Sequence, residues 1–155
     1  MKSKGVLLVI SGFAGTGKGT LVKALLDRYD NYALSVSATT RQPREGEQEG
    51  VHYFYKTKEE FQKMIEQGEL VEYAQYVGNY YGTPKAYVEE QLQKGKDVIL
   101  EIEIQGALKI KERFPDTLLL FLLPPDADTL EARLKGRGSE TEDVIAQRLA
   151  RAVEE

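Results

Sequence analysis

The chain of 155 residues has no cysteine and a single histidine, His52. Without thiols there are no disulfides and no thiolate metal sites, and no redox compartment can be inferred. One histidine cannot build a His-rich metal site, nor a Ser–His relay with a choice of bases. Basic residues are in the minority. Lys+Arg is 21 against 25 for Asp+Glu, a net charge of −4, which argues against general nucleic-acid or anionic-membrane binding. Any phosphate the chain binds must therefore be gripped by a local cluster of basic groups. Long hydrophobic runs are missing too. Val6–Ile10 is shorter than a signal-peptide core, and Leu118–Leu123 ends at Pro124-Pro125, far short of a bilayer span. The expected location is cytoplasmic. With 41% hydrophobic and 30% charged residues, the composition fits one compact globular domain.

Val6–Ser11 is apolar without alternation, the pattern of a strand covered on both faces. Val98–Glu103 and Leu118–Leu123 are expected to be strands of the same buried type. Helical spacing is found over 18–29, 84–94, 105–113, 126–136 and 142–155, with a turn at Arg137-Gly138-Ser139 between the last two. Strands alternating with helices predict an α/β architecture around a parallel sheet. Residues 35–83 differ, being polar and rich in tyrosine. His52–Tyr55 and Leu70–Tyr76 are expected to be strands of a more exposed, mixed sheet. Between them a helix over 58–67 is capped by Thr57 with Glu60 three residues on, and ends at Gly68. This stretch is expected to be an insertion on the α/β core.

Gly12-Phe13-Ala14-Gly15-Thr16-Gly17-Lys18-Gly19-Thr20 lies between the first strand and the first helix and fits G-x-x-x-x-G-K. Glycines let successive backbone N–H groups turn inward around phosphate oxygens, and the helix N-terminus adds partial positive charge. Lys18 supplies an ammonium for the β- and γ-phosphates of a nucleoside triphosphate. Gly19 stands where Ser or Thr would ligate Mg²⁺, so no direct side-chain metal ligand is expected and Mg²⁺ would be held through water.

A second anion site is suggested by the Ser/Thr-rich loop Ser35–Arg44, in which Arg41 and Arg44 flank Pro43. Guanidinium forks make bidentate bonds to phosphate that a single lysine cannot. Taken alone, two solvated surface arginines would be the better account of them; beside a phosphate loop in an acidic chain, the anion site is favoured. Glu72 falls within the apolar and aromatic stretch Leu70–Ala74, a costly place for an unpartnered charge. A carboxylate there suits the adjacent N1–H and 2-amino donors of guanine, although spacing alone also allows Glu72 to face water.

The segments SVSATTRQPREGEQEGVHYFY, GELVEYAQYVGNYYGTP, VILEIEIQGA and RLKGRGSETEDVIAQRL together resemble guanylate kinases, in that family's order and spacing over essentially the whole chain. The resemblance implies the P-loop nucleoside-monophosphate kinase fold: a parallel-sheet core with an inserted mixed α/β GMP-binding subdomain and a helical lid. Residues 1–34 and 84–125 would form the core, 35–83 the insertion, and 126–155 the lid and the start of a following core helix. It implies the reaction ATP + GMP ⇌ ADP + GDP, with dGMP as a further acceptor, and it leaves a homo-oligomer open.

By the same resemblance, Gly12 to Thr20 with Arg133 and Arg137 would hold ATP. Arg41, Arg44, Tyr53 and Tyr81 would hold the GMP phosphate, and Glu72, Ser37 and Thr83 the base. Lys18, Arg41, Arg137 and Arg148 would stabilise the transferring phosphoryl group. Glu101 and Glu103, expected at the end of a core strand, would contact the guanine edge or Mg²⁺ through water; a structural carboxylate pair is the alternative. Likewise Arg133, Arg137 and Arg148 could be solvated partners of Glu131 or Glu142. Phe13 and Ala14 depart from the Pro and Ser usual in the family. Family members also continue beyond the position of Glu155 through a strand and a final helix, so the expectation is a shortened chain with an exposed sheet edge. The rival is a guanylate-kinase-like scaffold domain that binds phosphopeptides, against which the intact Lys18 loop argues.

Overall fold

The computed structural model describes residues 4–138 and 141–154, with side chains through Ala150. Ser139, assigned above to a turn, lies outside the described residues. The first sheet has the order β2-β7-β1-β8, formed by Tyr32–Leu34 (β2), Asp97–Glu101 (β7), Leu7–Gly12 (β1) and Leu118–Leu122 (β8). All its pairings are parallel. β1 is central and buried along its whole length, as its unalternated apolar sequence requires.

Successive β1 side chains serve opposite faces. Leu7 and Val9 join Val98 and Leu100 against Val88 of α3 (Lys85–Gln93) and Ala107 and Ile110 of α4 (Ile104–Arg113). Leu8 and Ile10 join Ile99 against Val22 of α1 (Lys18–Arg28). β8 departs from the buried strand expected. Leu118 is 53% and Leu120 39% exposed, on the strand at the sheet edge, while Leu122 of the same strand packs with the cluster around Val22 of α1. Leu119 packs into the core on the other face.

The second sheet has the order β4-β3-β6-β5, formed by Phe54–Tyr55 (β4), Ala38–Thr39 (β3), Asn79–Pro84 (β6) and Leu70–Tyr76 (β5). It is mixed: β3 pairs in parallel with β4 and antiparallel with β6, and β5 pairs antiparallel with β6. Helix α2 (Lys58–Glu66) seats Phe61 on Ala38 and Leu70. Its N-terminus is the expected capping box, with Thr57 Oγ1 accepting from the Glu60 N–H and the Glu60 carboxylate accepting from the Thr57 N–H. Two further helices close the chain, α5 (Ala127–Gly136) and α6 (Glu142–Glu154). Leu130, Leu134 and Ile145 of this pair pack against Phe13 and Ala14, and the Phe13 ring meets Phe121 edge-on at 5.5 Å. Phe13 and Ala14 are thus apolar anchors between the glycine loop and these helices.

Candidate active site

A cleft runs between the glycine loop and the second sheet. One end is built where β1 gives way to α1. Gly15 and Gly17 adopt positive φ of 87° and 96°, which an L side chain rarely tolerates. They let the chain reverse so that the first turn of α1 faces the cleft. Lys18 bends back over this loop, its Nζ donating to the Gly12 carbonyl at 2.6 Å and the Phe13 carbonyl at 3.1 Å. Ala14, Gly15, Gly17, Lys18 and Gly19 line this end. Gly12, Phe13, Thr16 and Thr20 do not; Thr16 braces the loop, its hydroxyl donating to the Phe13 carbonyl at 2.8 Å.

Glu101 and Glu103 form the floor. They do not share a strand as expected, because β7 stops at Glu101 and Glu103 takes the N-cap position of α4. The backbone leaves the sheet between them, which separates their settings. Burial pushes the Glu101 carboxyl up, and the opposing pull of Lys18 and Arg137 does not restore it. A Cβ on Gly19 would lie 3.9 Å from Glu101 Oε1, in ordinary van der Waals contact, so the first turn of α1 faces this carboxylate closely. Arg137, the C-cap of α5, and Arg148 of α6 also line the cleft. Arg133 does not line it; its Nη1 approaches the Thr16 carbonyl at 3.5 Å. The salt bridge to Glu131 is made by Lys135.

The far end is lined by Ser37, Arg44, Tyr53, Glu72, Tyr81 and, unforeseen from sequence, Tyr76 and Gly106. Glu72 is buried, not facing water. Thr83, its neighbour across the β5–β6 ladder, donates its hydroxyl to Glu72 Oε1 at 2.7 Å. Thr83 itself sits behind that carboxylate and does not line the cleft. Burial pushes the Glu72 carboxyl up, against the Thr83 hydrogen bond and the charge of Lys109. Tyr53 and Tyr81 stand with ring centroids 6.0 Å apart, and burial lifts the Tyr53 phenol to about 12.

Arg41 is not among the cleft-lining residues. Its guanidinium lies over the Tyr53 ring, 5.2 Å from the centroid, and is paired with Glu47. Sequence alone does not single out Glu47, since a Glu in the acidic run Glu45-Gly46-Glu47 looks like any solvated loop residue. His52 has a local role, its Nδ1 accepting from the Gln48 N–H at 3.0 Å.

The family model for guanylate kinase matches residues 4–155. A guanylate kinase of Halalkalibacterium halodurans is 57% identical over 99% of this chain and 76% of its own length. One of Streptococcus pneumoniae is 53% identical over 100% of this chain and 75% of its own. The crystal structure of guanylate kinase from Anaplasma phagocytophilum aligns with a TM-score of 0.77 at 36% identity, covering 96% of this chain and 72% of that one. On the family model and on relatives of this identity and coverage, the chain belongs to the guanylate kinase family.

Proposed function

We propose that the chain transfers the γ-phosphoryl group of ATP to GMP, giving ADP and GDP, with ATP on the glycine loop and GMP at the far end of the same cleft. One observation carries this reading: Lys18 and its loop share a single cleft with Arg44, Tyr53, Tyr81 and Glu72. A phosphoryl transfer needs two anions brought face to face, and a binding module for one phosphopeptide needs only one of these ends.

The loop amides and Lys18 hold the β- and γ-phosphates, which compete for the Lys18 ammonium with the Gly12 and Phe13 carbonyls. Arg44, Tyr53, Tyr81 and Arg41 grip the GMP phosphate, the two phenols as hydroxyl donors. Glu72, oriented by Thr83, accepts from guanine N1–H and the 2-amino group, and Ser37 adds a hydroxyl at the base. An oxygen of the GMP phosphate attacks the γ-phosphorus. The bond from γ-phosphorus to the β–γ bridging oxygen breaks, and ADP leaves with that electron pair. GMP's phosphate is already largely ionised near neutral pH, so no general base is required. Arg137 and Arg148, with Arg133 at the edge, neutralise charge on the equatorial oxygens. Closure of 35–83 and the helix pair over the cleft would exclude water at that moment.

Glu101 and Glu103, which both line the cleft, would hold Mg²⁺ through water, and the ion would supply charge neutralisation at the phosphates. Among the described residues no helix is long and apolar enough to cross a membrane. A cytoplasmic site, where ATP and GMP are both present, accords with the proposed reaction.

The test is ADP formation with GMP, dGMP, AMP and UMP as alternative acceptors. Turnover with GMP and dGMP well above the other two is expected. Background turnover with all four, together with phosphopeptide binding, would establish the scaffold reading instead.

A further inference from the structure

We propose that Glu47 is the positioning residue of the acceptor-phosphate clamp: its one carboxylate fixes the Arg41 side chain, the Arg44 main chain and Tyr55 in place before GMP arrives. This rests on the reading of Arg41 and Arg44 as that clamp.

No named strand or helix lies between β3 and β4; backbone turns such as Glu47 N–H to the Arg44 carbonyl and Val51 N–H to the Gln48 carbonyl shape residues 40–53 together with side-chain bonds. Glu47 supplies the knot. Its Oε1 accepts from Arg41 Nη2 at 2.9 Å, and its Oε2 accepts from the Arg44 N–H and the Tyr55 hydroxyl, each at 2.8 Å. The ion pair is sheltered, with side-chain exposures of 14% for Arg41 and 17% for Glu47, unlike exposed pairs that contribute little. Burial alone would push the Glu47 carboxyl up. The bonds from Arg41, Arg44 and Tyr55 reverse this and hold it near 2, so it is fully ionised.

Arg41 is held from two further directions. Its Nη1 donates to the Gln42 carbonyl at 2.8 Å, and its guanidinium rests on the face of Tyr53, which lines the cleft. Of the five N–H donors of a guanidinium, these bonds to Glu47 and Gln42 use two, so the fork keeps capacity for an anion. An arginine left free would have to be ordered at every binding event, at a cost in affinity. Glu47 also sets a competing effect, since its charge partly offsets that of Arg41 toward a phosphate. The two effects predict opposite outcomes for its removal, which makes the proposal decidable.

The experiment is calorimetric binding of GMP and, separately, of ATP to the full chain and to Glu47→Ala, Glu47→Gln, Tyr55→Phe and Arg41→Ala. Positioning predicts GMP affinity weaker by at least about tenfold in Glu47→Ala and about threefold in Tyr55→Phe, with ATP affinity unchanged. Added to Arg41→Ala, the Glu47→Ala change should cost less than about twofold more, because its main client is gone. GMP binding within about twofold of the parent in Glu47→Gln and Tyr55→Phe, or tighter binding in either, overturns the proposal. So does a parallel loss of ATP binding, the mark of general damage to the fold. Should Glu47→Ala not fold, the Glu47→Gln and Tyr55→Phe proteins decide between the two effects. If Arg41→Ala leaves GMP affinity intact, the clamp reading has failed; if Arg41→Ala weakens it and the Glu47 and Tyr55 variants do not, only the positioning role has.

Discussion

Replacing Gly106 with alanine adds one methyl group at the base-reading end of the cleft. Gly106 lies in the first turn of α4, and a Cβ there would stand 2.4 Å from Glu72 Oε2 and 3.0 Å from Glu72 Cδ. Ordinary contact distances require the carboxylate to withdraw by roughly 1 Å. It cannot do so freely, because Oε1 is tied to the Thr83 hydroxyl at 2.7 Å and the residue is buried. A hydrogen bond to a charged group contributes about 1.5–3 kcal/mol, so misaligning the carboxylate from the guanine donors should weaken GMP binding by roughly 10- to 100-fold. The gain of up to about 1 kcal/mol for alanine over glycine in a helix only partly offsets the roughly 1–3 kcal/mol cost of crowding a buried side chain. The thermal midpoint should therefore fall modestly, and unchanged ATP affinity separates site damage from fold damage. IMP keeps the N1–H but lacks the 2-amino group, so its binding should suffer less and the GMP-over-IMP preference should shrink. Calorimetry with both nucleotides measures this. Unchanged GMP affinity and unchanged preference in Gly106→Ala would refute base reading by Glu72.

Three other outcomes are expected. Burial raises the Glu72 pKa, so between its unfolded and folded values the native state binds more protons and stability falls as pH rises; Glu72→Gln should accordingly melt no lower than the parent at pH 7, while losing GMP affinity by at least about tenfold. The Glu47 carboxyl is depressed from 4.5 to about 2, so its contribution, at most about 3 kcal/mol, is complete above pH 4.5 and lost as pH falls toward 2. The stability gap between parent and Glu47→Gln in pH-dependent denaturation should close over that window, and a gap independent of pH would contradict it. Thr57→Ala removes half of the capping box and should cost about 1 kcal/mol, or roughly 3 °C in melting temperature, with GMP and ATP affinities unchanged.

The parts of this fold that announce themselves in sequence are those fixed by local chemistry. β1 shows as an unbroken apolar run because both its faces are covered, the glycine loop because only glycine tolerates its backbone, and α2 because its capping box is written in Thr57 and Glu60. The elements that do not show depend on partners distant in sequence. β2 and β3 are too short to carry a pattern of their own and exist through pairing with β7 and with β6. β6 is hidden in a tyrosine- and glycine-rich stretch, although the turn before it, with positive φ at both Val77 and Gly78, is the kind that closes a hairpin. β8 shows its hydrophobicity but not its exposure, since nothing in Leu118–Leu122 says which neighbour stops short of it.

The same division runs through the cleft. Lys18 points to phosphate from its glycine loop alone, and Arg44 and Tyr81 do so once the family's segments are recognised; all three line the cleft. Gly106 and Glu47 carry no such signal. Gly106 matters for a side chain it does not have, in a helix where the sequence offers no reason for a glycine until Glu72 is seen filling the space. Glu47 matters because three donors converge on it from positions 41, 44 and 55, and convergence is a property of the folded loop. Residues that touch a ligand advertise their chemistry. Those that hold such residues in place differ from solvated neighbours only in what surrounds them, so a sequence reading of this kind finds the hands of a site before it finds the wrists.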